Sequence, residues 1–501
     1  MEDKRTFDAA IIGSGIGGLS AGILLSLLNY RVVIVERNPL PGGLMRGYRR
    51  DGVDCPVGVH YFGSFGAGEP LRKMCDYLGV ADQMAVEEMG GGGAIDRYLF
   101  DDFLFDLPVG LDAFGASLER AFPGDGRPIA AIVENLRMFS RLQKDFAFLS
   151  PAPLAVDPAF FAPLGDYLAG MNCSAGLRSV LGVSARWMGM PEDQCPVLYH
   201  HLALTSYLLS SWRLKGSGAD LAGAFVARLK SLGGTLLCGD PATAILAPGG
   251  AVEGVRLASG TVCRAPRVVA AIHPKKAMAM LPEGLILPRR VRRVAELCET
   301  ESLFAVNASV DAAVHPALPH NIFRLHANRD GSMRGGVFYQ MLRGREGRNL
   351  LVAITRSPYE EWRRWERTAS GRRGADYEEE KASRAGRLLQ DAEEIFGPLA
   401  DAKVIDAYSP LTLRDWVDTP EGSPYGILRS VRQLPAAATL HRLAPAGLWF
   451  AGQNALSPGV FGTLLGSFHA VRQVVGADRF APIYEGLAKG REKPGSSGGR
   501  P

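Results

Sequence analysis

Residues 9–63 read AAIIGSGIGGLSAGILLSLLNYRVVIVERNPLPGGLMRGYRRDGVDCPVGVHYFG, and this stretch decides the fold. Residues 9–12 form a short apolar run that predicts a buried parallel strand. Residues 17–28 are small or aliphatic, as in a helix that packs on a sheet. Residues 31–35 form a second apolar run and predict the next strand. The order of strand, turn, helix and strand predicts an α/β unit.

Three glycines and one carboxylate in this unit indicate a dinucleotide site. Gly13 permits the tight turn, Gly15 lets the backbone approach a pyrophosphate, and Gly18 lets the helix lie close to the strand. The start of the helix offers free N–H groups and the positive end of the helix dipole to the phosphates. Glu36 follows about 20 residues later, as expected of a carboxylate that accepts hydrogen bonds from a ribose. A purely structural glycine turn would leave Glu36 unexplained.

Composition excludes several classes of protein. With 501 residues the chain is too long for one ordinary core, so two interleaved domains are expected. The net charge of +4 is small, and no Lys/Arg tract contains interleaved aromatic residues, so no nucleic-acid partner is expected. The seven cysteines are scattered and form no C-x-x-C pair, which predicts neither a disulfide framework nor a metal site.

Hydropathy predicts a cytoplasmic location. Residues 1–7 are polar and charged, so no signal peptide is expected. No apolar segment is long enough to span a bilayer.

The residues that follow Glu36 resemble the FAD-binding flavoprotein amine oxidase superfamily. Residues 37–45 read RNPLPGGLM and place a second glycine pair, Gly42 and Gly43, soon after the ribose carboxylate. Within that superfamily, residues 58–63 (GVHYFG) resemble the branch of phytoene desaturases, carotenoid isomerases and retinol saturases. That branch usually has Asp two residues before the glycine that matches Gly58, whereas this chain has Pro56.

The C-terminal part carries a second match to the family. Residues 448–451 (LWFA) predict a buried strand, and the segments 452–454 (GQN) and 457–462 (SPGVFG) resemble the family's C-terminal FAD motif. The resemblance implies that this turn and helix start direct backbone N–H groups at the pyrimidine end of the flavin. Residues 409–426 resemble a segment that crosses near the flavin.

The resemblance implies an α/β fold in which a Rossmann-like FAD-binding domain of the GR2 flavoprotein type is interleaved with an α+β substrate domain. That second domain is expected to contain an antiparallel sheet and a helical region that associates with membranes. The expected segments are residues 1–75, 215–285 and 441–485 for FAD binding, residues 76–214 and 286–440 for substrate, and a disordered tail at residues 486–501.

The same resemblance assigns the expected site residues. The catalytic candidates are His60 and Tyr61, for proton transfer or orientation, although His60 could simply hydrogen-bond backbone near the cofactor. The residues expected to contact FAD are Gly13, Gly15, Gly17, Gly18, Glu36, Arg37, Gly42, Gly43, Leu44, Met45, Arg46, Ala242, Gly452, Gln453, Asn454, Gly459 and Val460.

The substrate region has two informative stretches. Apolar residues recur at helical spacing in residues 129–149, with basic residues between them, and aromatic residues continue to residue 164. Such a helix either lies in a membrane interface or packs its apolar face on a core. Residues 202–212 (LALTSYLLSSW) either line a hydrocarbon tunnel or belong to the core. His200 and His201 precede them, and a metal pair is not expected because adjacent side chains point apart.

The function implied is an FAD-dependent oxidoreductase that acts on a C–C bond of a long apolar lipid, either polyene or fatty acyl, as a desaturase with hydride transfer to flavin N5. A retinol-saturase-like reductase and a cis/trans isomerase remain alternatives. A flavin amine oxidase is another alternative, although residues 452–462 contain no Cys for covalent attachment of the flavin. The last alternative is a flavin-binding scaffold without enzymatic activity. The expected partners are the lipid, a membrane surface contacted peripherally, and a second copy of the chain.

Overall fold

A computed structural model describes residues 4–152 and 154–489. The strands are, in chain order, β1 (Lys4–Thr6), β2 (Ala9–Ile12), β3 (Val32–Glu36), β4 (Tyr48–Arg50), β5 (Val53–Cys55), β6 (Phe62–Gly63), β7 (Val86–Glu88), β8 (Asp96–Leu99), β9 (Leu104–Leu107), β10 (Ser211–Leu214), β11 (Thr235–Cys238), β12 (Ala242–Leu246), β13 (Gly254–Leu257), β14 (Val262–Arg264), β15 (Val268–Ala270), β16 (Leu303–Asp311), β17 (Asn321–Ala327), β18 (Met333–Leu342), β19 (Arg348–Arg356), β20 (Lys403–Tyr408) and β21 (Leu448–Phe450).

The α-helices are α1 (Ile16–Leu27), α2 (Pro70–Leu78), α3 (Leu111–Ala121), α4 (Gly126–Lys144), α5 (Leu164–Gly170), α6 (Ala175–Arg186), α7 (Val197–Leu209), α8 (Gly218–Ser231), α9 (Pro274–Ala279), α10 (Pro288–Ala295), α11 (Ala375–Phe396), α12 (Pro410–Val417), α13 (Leu434–Ala438), α14 (Gly459–Val475) and α15 (Ala477–Lys489).

A five-stranded parallel sheet carries the glycine turn. Its order is β11-β3-β2-β15-β21, so it assembles strands from three distant parts of the chain. Ala9 and Ile11 belong to one apolar core, whereas Ala10 and Ile12 belong to another. Both faces of the sheet are therefore covered, which explains why its strands read as uninterrupted apolar runs. The predicted Rossmann-like architecture is confirmed.

A seven-stranded sheet forms the wall of the second region, in the order β20-β16-β19-β18-β17-β8-β9. Its pairs are antiparallel except for β17 with β8, which run parallel and place Asn321 opposite Asp96. The predicted antiparallel sheet is present, and this single parallel pair brings two polar side chains to neighbouring positions. Helices α3 to α7 supply residues to the core that covers this end of the sheet.

The apolar face of α4 packs inside the protein. Leu136 and Phe139 are fully buried, and they share a core with Leu204 of α7. The expectation that this helix presents its apolar side to a membrane is therefore wrong, and the core interpretation is correct. Hydrophobic periodicity shows that one face of α4 is apolar but not what covers it. In the structure, α3 and α7 cover that face.

The C-terminal end differs in part from expectation. Gly486 lies within α15, so the tail expected to begin there begins no earlier than residue 490. Residues 490–501 lie outside the described part of the chain. The segment boundaries proposed for the two domains stay predictions. Within the described ranges, no helix combines the length and apolarity that crossing a bilayer requires.

Candidate active site

A cavity of about 830 Å³ lies at the carboxyl ends of the parallel strands. It is lined by the residues that follow β2, β3, β15 and β21, and it continues to β17, β18 and β19 of the seven-stranded sheet. Ligands of open α/β sheets bind at this edge, because the strands end there and the loops diverge. The cavity therefore connects the glycine turn with the wall of the second region.

At one end of this cavity, the backbones of three glycine-containing segments are in direct contact. Gly15 pairs with Gly42 in an isolated parallel bridge. A Cβ atom on Gly43 would lie 3.0 Å from Cα of Gly15, and one on Gly17 would lie 2.6 Å from Cα of Gly452. Side chains at these positions would separate the segments, so the glycines are required by the close approach of one backbone to another.

Two helices direct free N-termini at the cavity. Helix α1 follows Gly15 and α14 follows Pro458, and neither has a side-chain cap or an acidic residue in its first turn. Their first N–H groups lack partners within the helix and carry the positive end of the dipole. The two helix starts can therefore bind anionic or electron-rich groups of one ligand.

The carboxylate of Glu36 is fixed beside the first turn. Glu36 is 6% exposed. Its Oε2 accepts hydrogen bonds from N and Oγ of Ser14 at 2.9 and 2.6 Å, and its Oε1 accepts from N and Nδ2 of Asn38 at 2.8 and 3.0 Å. The two backbone bonds hold the carboxylate in place. The side chains of Ser14 and Asn38 add a second donor to each carboxylate oxygen.

Gly15 tests whether this cradle fits a dinucleotide. A Cβ atom on Gly15 would meet nothing of the protein closer than Cα of Gly43 at 4.0 Å. The φ of Gly15 is −61°, a value that any residue adopts. Neither packing nor backbone conformation therefore explains the missing side chain, whereas the close approach of a pyrophosphate does. The residues present fit a dinucleotide.

The cavity collects nearly all of the residues expected to contact FAD. The expected residues that line it are Gly13, Gly15, Gly17, Glu36, Arg37, Gly42, Gly43, Leu44, Met45, Ala242, Gly452, Gln453, Asn454, Gly459 and Val460. Their contacts with the cofactor stay predictions. The remaining two residues, Gly18 and Arg46, do not line the cavity.

Gly18 and Arg46 act on the protein itself. A Cβ atom on Gly18 would lie 1.9 Å from the carbonyl oxygen of Gly13, so this glycine is required by helix-to-strand packing. The guanidinium of Arg46 donates to the carbonyl oxygens of Leu40 and Trp416 at 3.1 and 3.2 Å and lies over the Trp416 ring. Arg46 thus joins the segment of the second glycine pair to the end of α12.

A buried arginine anchors the C-terminal turn. Arg429 is 2% exposed, and its guanidinium donates to the carbonyl oxygens of Gln453 and Asn454. Oδ1 of Asn454 accepts the N–H of Ile427 at 3.0 Å. Burial lowers the pKa of Arg429, yet the group stays charged because its usual pKa is so high. The turn that borders the cavity is thereby held by residues that sequence reasoning missed.

The other end of the cavity is apolar and aromatic. Tyr61 contacts Tyr207 with ring centroids 4.8 Å apart, and Tyr207 contacts Trp187 at the same distance. The side chains that line this end come from the α6–α7 region and from the seven-stranded sheet: Trp187, Met188, Met190, Leu202, Ala203, Tyr207, Phe323, Leu325, Met333, Val337, Phe338 and Ile354. Residues 202–212 therefore divide their roles, because Leu202 lines the cavity while Leu204 and Leu208 belong to the core.

His60 and Tyr61 lie in the cavity wall and join one buried polar network. Nδ1 of His60 lies 3.0 Å from Oε1 of Gln340, and Nε2 of Gln340 donates to Oδ1 of Asn321 at 2.8 Å. Nδ2 of Asn321 donates to Oδ1 of Asp96 at 2.7 Å, and the Tyr61 hydroxyl donates to Oδ2 of Asp96 at 2.9 Å. His60 thus bonds a side chain rather than only backbone.

Burial shifts the pKa values in this network. Loss of solvation lowers the pKa of His60 and raises that of Tyr61 well above its usual value. The same effect raises the pKa of Asp96 to about 7, against the opposing hydrogen bonds from Asn321 and Tyr61. At neutral pH, His60 and Tyr61 are therefore uncharged, and Asp96 holds its proton to a much higher pH than an exposed aspartate does.

Sequence reasoning missed Asp96, Asn321 and Gln340. Asp96 and Tyr98 are buried while Arg97 between them is more open, which shows that both face inward along β8. An acidic residue at an inward position of a strand is a detectable signal, because such groups are rarely buried without a purpose. No local pattern in the sequence marks Asn321 or Gln340. Asn321 meets Asp96 only through the pairing of two strands that lie more than two hundred residues apart in the chain.

His200 and His201 contact each other, contrary to the expected divergence of adjacent side chains. Their Nδ1 atoms lie 2.8 Å apart, and Nε2 of His200 lies 2.9 Å from the Leu181 carbonyl oxygen. Burial lowers the pKa of His200 to about 4, so the pair is neutral at physiological pH. No group of three potential metal ligands occurs in residues 4–152 and 154–489.

Comparison with known proteins finds relatives over most of the chain. A family model described as an NAD(P)-binding Rossmann-like domain matches residues 11–78. The all-trans-retinol 13,14-reductase of Danio rerio is 22% identical over 92% of this chain and 84% of its own length. The prolycopene isomerase 1 of an Oncidium hybrid cultivar is 22% identical over 97% and 87%. A 4,4'-diapophytoene desaturase of Methylomonas sp is 23% identical over 59% and 60%.

Solved structures share the fold. An oxidoreductase from Methanosarcina mazei superposes with a TM-score of 0.65, at 15% identity over 93% of this chain and 99% of its own. Putrescine oxidase bound to putrescine superposes with a TM-score of 0.61, at 16% identity over 95% and 100%. The expected resemblance is confirmed: this chain is a homologue of the retinol reductases, carotenoid desaturases and carotenoid isomerases, and it has the flavoprotein oxidase fold with a site for a flavin-type cofactor.

Proposed function

We propose that this protein is an FAD-dependent oxidoreductase that acts on a C–C or C=C bond of a long apolar lipid, with desaturation as the main reaction. One observation carries the proposal: a single cavity joins a dinucleotide cradle to an apolar, aromatic wall, with His60 and Tyr61 in that wall. A saturase-like reduction and a cis/trans isomerisation use the same arrangement, and the experiment below separates them.

FAD is the cofactor that the cradle supports best. Gly15 would leave room for the pyrophosphate, Glu36 would hold a ribose, and the start of α14 would present N–H groups to the flavin ring. A bound flavin supplies transfer of an electron pair as hydride at N5. The N–H groups at the start of α14 stabilise negative charge on the ring.

The chain's own contribution is to hold an apolar substrate away from water. Trp187, Tyr207 and Phe338 provide aromatic surface in the cavity wall, so an alkyl or polyene chain loses contact with solvent on binding. Carbon centres without activating groups react only when they are positioned closely and a proton donor or acceptor is present. His60 and Tyr61 supply polar atoms for that purpose.

A membrane surface is the proposed source of the lipid, and α10 is the proposed contact. Leu287 and Val291 lie one helical turn apart and are 51% and 43% exposed. The helix sequence is PRRVRRVA, and its four arginines are exposed. Apolar side chains flanked by arginines suit the interface of an anionic bilayer. This proposal places the contact on α10 instead of α4.

The position of α10 relative to the cavity supports this arrangement. Helix α10 contacts α9, and Lys276 of α9 forms an ion pair of 2.9 Å with Asp418. The neighbouring Trp416 lines the cavity and is 49% exposed. These contacts connect α10 to one wall of the cavity, and the protein proposed here is cytoplasmic and peripherally membrane-bound.

Untargeted mass spectrometry of membrane lipids, from cells with and without the protein, tests this function. A lipid class that loses a hydrogen pair on expression supports desaturation, a gained pair supports saturation, and a changed retention time at constant mass supports isomerisation. Cells that produce Gly15→Val are the matched control, because this variant is expected to fold without flavin. No lipid change in the wild type contradicts the proposal, and putrescine and cyclohexylamine are then tested as amine substrates. An inactive flavin-binding scaffold would fail both assays.

A further inference from the structure

We propose that Asp96 and Tyr61 form a proton relay for the cavity: Asp96 holds the proton, and the Tyr61 hydroxyl exchanges it with the substrate. The inference rests on the proposed function and deepens it, because it names the group that supplies or removes the proton. Asp96 does not line the cavity, so it acts through Tyr61 as a positioning and proton-holding residue.

The fold builds a closed site around the Asp96 carboxylate. Asp96 is 0% exposed and begins β8. The parallel register of β8 with β17 sets Asn321 directly opposite, and its amide bonds Oδ1. The Tyr61 hydroxyl bonds the other oxygen. Tyr61 itself lines the cavity, so a single hydroxyl separates the buried carboxylate from the substrate space.

Asp96 also sets the direction of the hydrogen bonds in the network. An ionised carboxylate only accepts, so the amide nitrogen of Asn321 must face it. The oxygen of Asn321 then accepts from Gln340, and the oxygen of Gln340 accepts from Nδ1 of His60. The donors of both cavity residues, His60 and Tyr61, thus point toward Asp96. This polarity fixes the tautomer of His60 with the proton on Nδ1.

Protonation of Asp96 changes what Tyr61 presents to the cavity. When Asp96 is ionised, the phenol donates its proton to the carboxylate, and only an oxygen lone pair faces the substrate space. When Asp96 is protonated, the carboxyl group can donate to the phenol oxygen, and the phenol proton turns to the cavity. Tyr61 is therefore a proton acceptor in one state and a proton donor in the other.

The surroundings of Asp96 favour exchange of a proton near neutral pH. The titratable groups that face it are Tyr61 and Tyr207 in the cavity wall and Tyr98 on its own strand. The neighbouring charged groups on β8 and β9, Arg97 and Asp106, form an ion pair of 2.8 Å with each other. Within residues 4–152 and 154–489, no cation forms an ion pair with Asp96. Desolvation accordingly raises the pKa of Asp96 to about 7.

The proton balance is complete in both directions. Reduction of a double bond requires an electron pair, which a bound reduced flavin would supply as hydride, and a proton, which Tyr61 gives to the second carbon. Tyr61 recovers its proton from Asp96, which becomes a carboxylate. In desaturation, the proton leaves the substrate carbon for the Tyr61 oxygen, the phenol proton moves to the Asp96 carboxylate, and the electron pair would leave the adjacent carbon as hydride to a bound oxidised flavin. Reduction is therefore favoured below the pKa of Asp96, and desaturation is favoured above it.

The first test measures the Asp96 proton without any turnover. The flavin-loaded wild-type protein is titrated while infrared difference spectroscopy follows the C=O stretching band of protonated carboxyl groups. A band that titrates near pH 7, disappears in Asp96→Asn and persists in Asp101→Asn supports the relay; Asp101 is an exposed aspartate that pairs with Arg324 at 2.8 Å. In Tyr61→Phe the band should titrate at higher pH, since the hydrogen bond from Tyr61 lowers the pKa of Asp96. Titration near the ordinary value for Asp, or no shift in Tyr61→Phe, overturns the proposal.

The second test measures the pH profile of the reaction. Liposomes that carry all-trans-retinol or 4,4'-diapophytoene are incubated with wild type and with Asp96→Asn from about pH 5 to about pH 9. Reduction should weaken and desaturation should strengthen as pH rises through 7. Asp96→Asn should retain flavin and turn over about 10²-fold more slowly, and its rate should no longer change as pH rises through 7. If the rate of Asp96→Asn still changes with pH as that of wild type does, the relay is overturned while the proposed function stands. If wild type converts neither probe, the proposed function fails for them, and the infrared titration alone decides whether the relay exists.

Discussion

The hydroxyl of Tyr61 lies 2.9 Å from Oδ2 of Asp96, and this contact joins a residue in the cavity wall to a carboxylate that water does not reach. An unpaired carboxylate in such a place is expensive, so it either stays protonated or attracts donors. Here both responses occur, because two donors bond the group and its pKa rises nonetheless. The pair therefore affects both the stability and the chemistry of the protein.

The first prediction concerns stability and pH. The pKa of Asp96 rises on folding, so between about pH 4 and pH 7 the folded state binds more protons than the unfolded state. The free energy of unfolding should therefore fall as pH rises through this range, by at most about 1.4 kcal/mol per pH unit from this group. Asp96→Asn keeps a neutral side chain and should lack this slope.

Chemical denaturation of both proteins across this pH range measures the effect. The difference between Asp96→Asn and wild type should increase in favour of the variant up to about pH 7 and then level off. Asp101→Asn serves as the control for loss of a surface carboxylate. Parallel pH dependences of wild type and Asp96→Asn would show that Asp96 is already ionised at acid pH.

The second prediction concerns His60. His60→Ala should retain flavin but lose turnover by about 10²- to 10⁴-fold, because the cavity loses a polar group in its wall and Gln340 loses its donor. The orphaned Gln340 oxygen should also lower stability by about 1–3 kcal/mol. Flavin absorbance, turnover and thermal unfolding are measured together. His326→Ala, at an exposed histidine that bonds Asp101, is the matched control. Unchanged turnover in His60→Ala would remove the proposed role.

The third prediction separates two glycines of the same turn. Gly15→Val should fold and fail to bind flavin, because a Cβ atom at this position comes no closer to the protein than Cα of Gly43 at 4.0 Å and extends into the space assigned to the pyrophosphate. Gly18→Ala should lower stability by several kcal/mol, on the order of the largest single-residue effects, because its Cβ would lie 1.9 Å from the Gly13 carbonyl oxygen. Thermal unfolding without cofactor and flavin content after purification measure the two effects. A Gly15→Val protein that retains flavin would contradict the assigned pyrophosphate position.

The fourth prediction concerns α10. Replacing Arg289 and Arg293 with Glu should release the protein from anionic liposomes, since each arginine near a charged surface contributes about 1 kcal/mol. Both residues are exposed, so the fold should not change. Co-sedimentation with vesicles of anionic and of neutral lipid measures the effect. The equivalent change at exposed Arg363 and Arg364, which lie outside α10, is the control. Equal sedimentation of both variants would place the membrane contact elsewhere.

The failures of sequence reasoning have one origin. Periodicity in residues 129–149 showed that a helix has an apolar face, but only α3 and α7 show that protein covers it. The rule that adjacent side chains point apart does not hold for His200 and His201, whose Nδ1 atoms lie 2.8 Å apart. In each case the residues identify a surface or a group, and only neighbouring elements decide what it faces.

The sequence by itself determined the dinucleotide cradle. Its signals are local: Gly13, Gly15 and Gly18 act within one turn, and Glu36 ends the next strand, so short-range geometry brings them together. The tertiary structure alone decided the acid–base apparatus. Asp96, Asn321 and Gln340 come from separate strands. The parallel pairing of β8 with β17 sets Asn321 opposite Asp96, and the Tyr61 hydroxyl reaches the same carboxylate from a different segment of the chain. Long-range pairing leaves no periodic trace in the chain, and for this reason the cofactor site was predictable while its proton source was not.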